Sequence, residues 1–281
     1  MAVAGIRRAA GTRYQPAHHS ALRWALLDAL VMARRSVTET IRIPELVFFV
    51  AIQPIMFVLL FRYVFGGAIQ VPGGQYVNYL MPGIFVQTVA FGGVITALGL
   101  TQDLQRGIID RFHSLPMSSS AVVTGRTFAD LVRNLFTVVI MLIVGFMVGF
   151  RPQGTVFEFL LGILVLMGVS FAFSWISAFV GLMVRSVEAA QSGGFIWLFP
   201  LTFASSAFVP VSTMPSWLQA FARHNPVSVL ADSLRGLFHV NPALTTADTR
   251  SALIQSVLWI AGILIVFVPL SVIRYRSTTA R

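Results

Sequence analysis

The chain has 281 residues, 56% of them hydrophobic and only 11% charged, with a net charge of +10 and a mean hydropathy of +0.80. A soluble domain carries about 25% charged residues, so this composition excludes a water-soluble globular fold and makes lipid the main solvent. All 20 basic residues are Arg and Cys is absent, which excludes disulfides, thiolate metal sites and a Cys nucleophile.

Residues 1–20 are small, polar and basic, and read as a disordered cytoplasmic tail. They contain no apolar core of about 7–15 residues, so a cleavable signal peptide is not expected. His18 and His19 have no other ligand types nearby, which favours a solvated tail over a metal site. Residues 21–43 have helical propensity, with Trp24, Leu27 and Val31 on one face and Arg34-Arg35 interrupting the stripe. An interfacial helix on the inner leaflet fits this mixture; an ordinary solvated helix is the alternative.

About 20 apolar residues span a bilayer core, and six segments qualify. They are Leu46–Phe65, Leu80–Leu100, Leu131–Phe150, Phe157–Val184, Phe195–Val211 and Ala252–Ile273. Gln53-Pro54 should kink the first. The fourth is long enough to tilt, and the fifth is short and interrupted by Pro200. The expected fold is therefore an all-α integral membrane protein with six transmembrane helices, one domain over 21–281. Fifteen of the arginines fall in the termini and loops of one side and five on the other. The positive-inside rule then places both termini, and the polar stretch Thr101–Arg126, in the cytoplasm. Because the arginines sit at the edges of apolar runs, they report topology and not a nucleic-acid stripe. The outer loop Ser212–Arg250 suits two short helices, near Pro215–Arg223 and Val227–Val240, too short to span.

Several chemistries can be tested by inspection. A P-loop needs GxxxxGK[ST], and a chain without Lys cannot contain it; ATP, if used, binds elsewhere. A proton-coupled carrier ordinarily needs an ionisable residue at mid-membrane depth. On the six spans above, Arg62, Arg133 and Glu158 lie near span ends and none lies centrally. Ser170, Ser174 and Ser177 have no His or carboxylate at helical spacing, so helix–helix hydrogen bonds are expected of them and no catalytic or metal site is assigned. Gly145 and Gly149 form a GxxxG pattern that suits close helix packing, within one subunit or between subunits. The 24 Phe and 10 Met make adaptable surfaces for apolar ligands, although most must face lipid or pack.

Within Thr101–Arg126, a helix over Gln102–Leu115 would align Leu104, Ile108, Phe112 and Leu115 on one stripe. Asp103, Arg106 and Asp110 take the opposite face, and Pro116 stops the helix. Ser118–Ser120 offers an N-cap for the third span, at whose start Asp130 can pair with Arg126 and Arg133. A helix that only anchors the loop at the membrane surface fits this pattern equally well.

The stretch DLQRGIIDRFHSLPMSSSAVVTGRTFADLVR resembles the signature region of the daunorubicin/doxorubicin-resistance permeases, within the type-2 ABC exporter superfamily. So do PELVFFVAIQPIMFVLLFRYVFGG at the first span, YLMPGI opening the second, and LFPLTFASSAFVPVSTMPSWLQAFARHNPVSVLADSLRGL in the fifth span and outer loop. The resemblance runs from about Pro44 to the C-terminus. It implies six transmembrane helices with an N-terminal interfacial helix, and outer re-entrant helices between the fifth and sixth spans. It also implies that the helix before Pro116 docks into a separate ABC ATPase subunit, with Asp103, Arg106, Asp110 and Arg111 at the contact. Gln105-Arg106-Gly107 replaces the superfamily's Glu-rich run, which leaves this contact less acidic. The implied cofactors, ATP and Mg, belong to the partner; none is bound by this chain.

Together these readings describe a permease in a bacterial plasma membrane, moving a hydrophobic drug, antibiotic or lipid-like compound outward. Its expected partners are an ABC ATPase, a second permease copy or paralogue, membrane lipid and the apolar substrate, with no nucleic acid. An ion-coupled secondary carrier and a non-transporting scaffold are the rival classes.

Overall fold

The structure is a computed structural model that describes residues 44–69, 71, 74–105 and 119–278. The tail and the expected interfacial helix (1–43), and residues 106–118, lie outside the described residues. Among the described residues the fold is all-helical. Its helices are α1 (Pro44–Leu59), α2 (Tyr76–Gln105), α3 (Ser119–Met147), α4 (Val156–Met183), α5 (Val187–Phe203), α6 (Ser216–His224), α7 (Pro226–Leu237) and α8 (Thr246–Thr278). A π-helical turn, Leu60–Phe65, extends α1.

Within α2, α3, α4 and α8, the stretches Tyr76–Gln105, Val123–Met147, Val156–Met183 and Thr246–Tyr275 are long and apolar enough to cross a membrane. The apolar stretch Ile52–Phe65 and the 17-residue α5 are shorter. These helices alternate in direction. One end of the bundle carries the flanks of residues 106–118 and is here called the loop end. The other, the cap end, carries α6 and α7.

α2 is the axis of the bundle. Its most apolar window is 83% buried against 11% for α8, so the helix crosses the fold surrounded by protein. The large side chains Leu80, Met81, Ile84, Phe85 and Leu100 have no exposed surface. At the loop end α2 and α4 touch backbone to backbone: a Cβ on Gly181 would stand 2.6 Å from the Ala97 carbonyl oxygen. A second apolar cluster at that end joins Leu100, Val123, Trp175, Leu182 and Tyr275. The C-terminal end of α8 therefore lies beside the flanks of 106–118.

The fifth helix corrects the sequence reading. It is expected over Phe195–Val211 but runs from Val187 to Phe203. Its start is set by Ser186, whose hydroxyl accepts from the Ala189 amide at 3.1 Å, with Glu188 in the first turn; both favour a helix N-terminus. Hydropathy passes over this polar first turn. Its end is set by Asn225, whose amide donates to the carbonyls of Leu201 (2.7 Å) and Ala204 (3.0 Å). The same side chain caps α7 by accepting from Val227 N at 2.9 Å.

The GxxxG reading of Gly145 and Gly149 also changes. Gly145 lies in α3, and a Cβ there would stand 2.6 Å from Met81 Cε. Gly149 lies beyond the helix with φ +100°, and nothing approaches its open side within 4 Å. Its job is a left-handed turn that lets Phe150 fold back to bond Gly145 O at 2.8 Å. The two glycines do not form one packing surface within this chain.

The two short helices expected in Ser212–Arg250 are present as α6 and α7, and α7 is buried along almost its whole length. In its last turn is Arg235, fully buried. Its guanidinium donates to Tyr79 O (3.0 Å), Ser206 Oγ (3.1 Å), Ser206 O (2.8 Å), Ala207 O (3.3 Å) and Asp232 Oδ1 (2.6 Å). Tyr79 and Tyr76 add bonds to the carbonyls of Ser206 (3.0 Å) and Phe208 (2.8 Å). The strand of chain between α5 and α6 is thereby held on the cap end of α2.

Candidate coupling site at the loop end

α2 ends at Gln105 and α3 begins at Ser119, so these two helices carry the flanks of residues 106–118. α2 is fastened to α4 and its following turn. Thr101 Oγ1 donates to Gly181 O at 2.9 Å and Gln105 Nε2 to Arg185 O at 2.9 Å. α3 meets α2 at this end through Arg126, whose Nη1 donates to Asp103 Oδ2 at 2.6 Å. The guanidinium lies across Gly99: a Cβ at that position would fall inside it. Gly99 and Asp103 are four residues apart on one face of α2, so the first makes the socket and the second supplies the charge.

One turn further along α3, Arg133 pairs with Asp130. Asp130 is 2% exposed, and its Oδ2 has no hydrogen-bond partner. Next comes Asn134, whose Nδ2 donates to Ser170 Oγ at 2.7 Å. The buried face of α3 thus reads Thr127, Asp130, Asn134, Thr137 before turning apolar at Val138 and Met141. α3 begins twelve residues before the expected span start, Leu131. Asp130 and Arg133 therefore fall in the middle third of the helix. Arg133, expected near the end of the third span, thus forms a neutralised pair with Asp130 within α3, an arrangement that suits a low-dielectric interior.

Of the residues expected at an ATPase contact, Asp103 is described, and its carboxylate engages Arg126. Arg106, Asp110 and Arg111 lie outside the described residues, as does Ser118 of the expected N-cap. The Asp130–Arg133 pair forms as the spacing suggests, but Arg126 takes Asp103 and not Asp130. Ser170 makes its interhelical bond, whereas the hydroxyls of Ser174 and Ser177 are buried without a partner. Sequence reasoning missed the socket at Gly99, although a Gly four residues before an Asp at a helix end is a readable signal for a long cation.

Comparison with known proteins bears on this arrangement. Residues 28–239 match the model of the ABC-2 type transporter family. The chain belongs to that family. It is 33% identical to the daunorubicin resistance ABC transporter permease protein DrrB1 of Streptomyces coeruleorubidus, over 82% of this chain and 80% of that one. It is 26% identical to the probable doxorubicin resistance ABC transporter permease protein DrrC of Mycobacterium tuberculosis, over 94% of each. A putative transport permease, ycf38, of Cyanophora paradoxa is 25% identical over 75% of this chain and 74% of that one. This ABC-2 protein is a transmembrane permease subunit of an ABC transporter, and membership implies an ABC ATPase as its partner.

Proposed function

We propose that the chain is the membrane half of an ATP-driven exporter of a hydrophobic compound, with the segment Gln102–Leu115 docking on a separate ATPase. The observation that carries this is the convergence of α2, fastened to α4, and α3, held to α2 by the Arg126–Asp103 pair, on the two ends of residues 106–118, in a family of ABC permeases. A chain without Lys has no P-loop of its own, so ATP and Mg bind on the partner. The arginine asymmetry supports a cytoplasmic loop end and termini in a bacterial plasma membrane. On this reading α1 and α5 complete six spans, α6 and α7 are re-entrant, and two permease chains, identical or paralogous, assemble. An apolar cargo is supported by the drug-resistance relatives. It is supported too by the rings of Phe57, Phe61, Phe203 and Phe208, which stack between α1 and the end of α5.

The test is the double substitution Asp110→Ala with Arg111→Ala in the permease expressed with its ATPase. Efflux should fall by about tenfold or more, within a coupling of roughly 1–3 kcal/mol, while membrane insertion is unchanged. Unaltered ATP-driven efflux in that variant defeats the docking reading. The buried Asp130–Arg133 pair gives an ion-coupled carrier one observation in its favour. Efflux that survives removal of the ATPase but collapses with the ion gradient would select it.

A further inference from the structure

Arg126 has two carboxylates within reach and uses one. Asp103 on α2 holds it in this structure. Asp130, one turn along on its own helix, is an i,i+4 neighbour, and the Arg126 charge already acts on it. Asp130 has one oxygen occupied by Arg133 and the other, Oδ2, buried and unpartnered. An empty acceptor on a buried carboxylate is costly, and such sites call for a second occupant. Arg126 itself keeps 28% of its side chain exposed, and Gly99 presents no side chain to its guanidinium.

The two arms of the 106–118 segment differ in how they are held. The α2 arm is fixed to α4 and the following turn by the Thr101 and Gln105 bonds and by the Gly181–Ala97 contact. The ion pair bridging the α3 arm to it is partly solvated, and solvent screening makes such pairs weak. A push on the segment therefore separates the arms at Arg126–Asp103 before it disturbs α2 and α4.

We propose that Arg126 is a positioning residue that exchanges between Asp103 and Asp130 Oδ2 during transport, releasing α3 from α2 at the loop end and passing movement of the docked segment along α3 toward Asn134. This rests on the docking reading above. In the resting state Arg126 clamps the arms together; in the driven state it fills the vacant acceptor on α3, so that no carboxylate is left buried and unsatisfied while the helices part.

Charge exchange separates a switch from a static clamp. Three variants are expressed with the ATPase subunit: Arg126→Asp, the swap Asp103→Arg with Arg126→Asp, and Asp130→Asn. The readouts are thermal stability in detergent, capture of the ATPase, and ATP-driven efflux from vesicles. Arg126→Asp should lower both stability and efflux. The swap rebuilds the clamp but sets a carboxylate at position 126 against that of Asp130, so stability should return only in part while efflux stays about tenfold down. Asp130→Asn keeps the clamp and weakens the second acceptor; it should reduce efflux with the ATPase still captured, and it serves should Arg126→Asp fail to fold. A swap with wild-type efflux overturns the exchange, because a fixed clamp is then sufficient. Full efflux in Asp130→Asn overturns it as well. If the wild-type permease captures no ATPase, the docking reading fails first and this one with it, whereas normal capture with insensitive variants removes the exchange alone.

Discussion

The guanidinium of Arg235 lies over the ring of Tyr79, its central carbon 3.6 Å from the ring centroid. A stacked, planar cation that also donates five hydrogen bonds is a role a Lys cannot fill. The charge has been withdrawn wholly into protein, and its stabilisation depends on every one of those acceptors being in place.

Replacing Arg235 with Ala should therefore be strongly destabilising, because it leaves the buried carbonyls of Tyr79, Ser206 and Ala207 short of a donor, at about 1–3 kcal/mol for each group left unsatisfied. Arg235→Lys should recover only part of that, since an ammonium keeps the charge and loses the fork. Thermal unfolding of the purified permease in detergent checks both, and equal stability of the Lys variant and wild type would contradict the account. Tyr79→Phe removes only the hydroxyl's bond to Ser206 O and should cost about 0.5–1.5 kcal/mol.

Asn225 ends one helix and begins another with one side chain. Asn225→Ala should lose the α7 cap, about 0.5–2 kcal/mol, and leave the carbonyls of Leu201 and Ala204 without their donor. Asn225→Asp keeps the cap but presents an acceptor to those carbonyls. It should consequently fall between Ala and wild type in thermal stability, and an Asp variant as stable as wild type would show that the two carbonyl bonds contribute nothing.

Gly145 and Gly149 should fail differently. Gly145→Val inserts bulk against Met81 in a packed core and should cost about 1–3 kcal/mol through overpacking; a compensating Met81→Ala should recover part of it. Gly149→Val is strained by its positive φ, at roughly 1–3 kcal/mol, and Met81→Ala should give it no relief. A double-mutant cycle on thermal stability separates them: coupling with Met81 is expected at 145 and none at 149.

Gly99→Ala should expel the Arg126 guanidinium from its socket. Because the obstructing atoms are the far end of a flexible side chain, stability should change little, by less than about 1 kcal/mol for a surface-like adjustment. Coupling is the sensitive quantity: efflux should drop while ATPase capture persists. A variant with normal efflux would show that the guanidinium does not need that seat.

Much of this architecture could be read from composition and hydropathy, because apolar length and arginine placement are properties of the whole chain. α2 and α8 contain their expected spans, α4 ends one residue short of its own, and α6 and α7 fall close to the expected short helices. What escaped were boundaries set by a few polar atoms. The Ser186 cap and the Asn225 bonds shift the fifth helix by eight residues at each end, against the hydropathy signal. α3 extends into polar sequence because Thr127, Asp130 and Asn134 find partners or burial on α2 and α4, which a window average scores as loop. The choice of Arg126 between two carboxylates was equally beyond reach. Spacing along one helix names Asp130, while Asp103 becomes a neighbour only after 23 residues of chain have doubled back.

The cap end of α2 has a consequence for how the protein is made. Tyr79 is synthesised 156 residues before Arg235, the residue that stacks on it and bonds its carbonyl. At roughly 5–20 residues per second, the ribosome needs about 8–30 s to deliver that partner. Until then the most buried helix of the finished bundle stands in the bilayer without its lid, its two tyrosine hydroxyls still waiting for carbonyls on the stretch 206–208. The cap on α2 is thus among the last contacts the growing chain can make, closing only when α7 has been delivered.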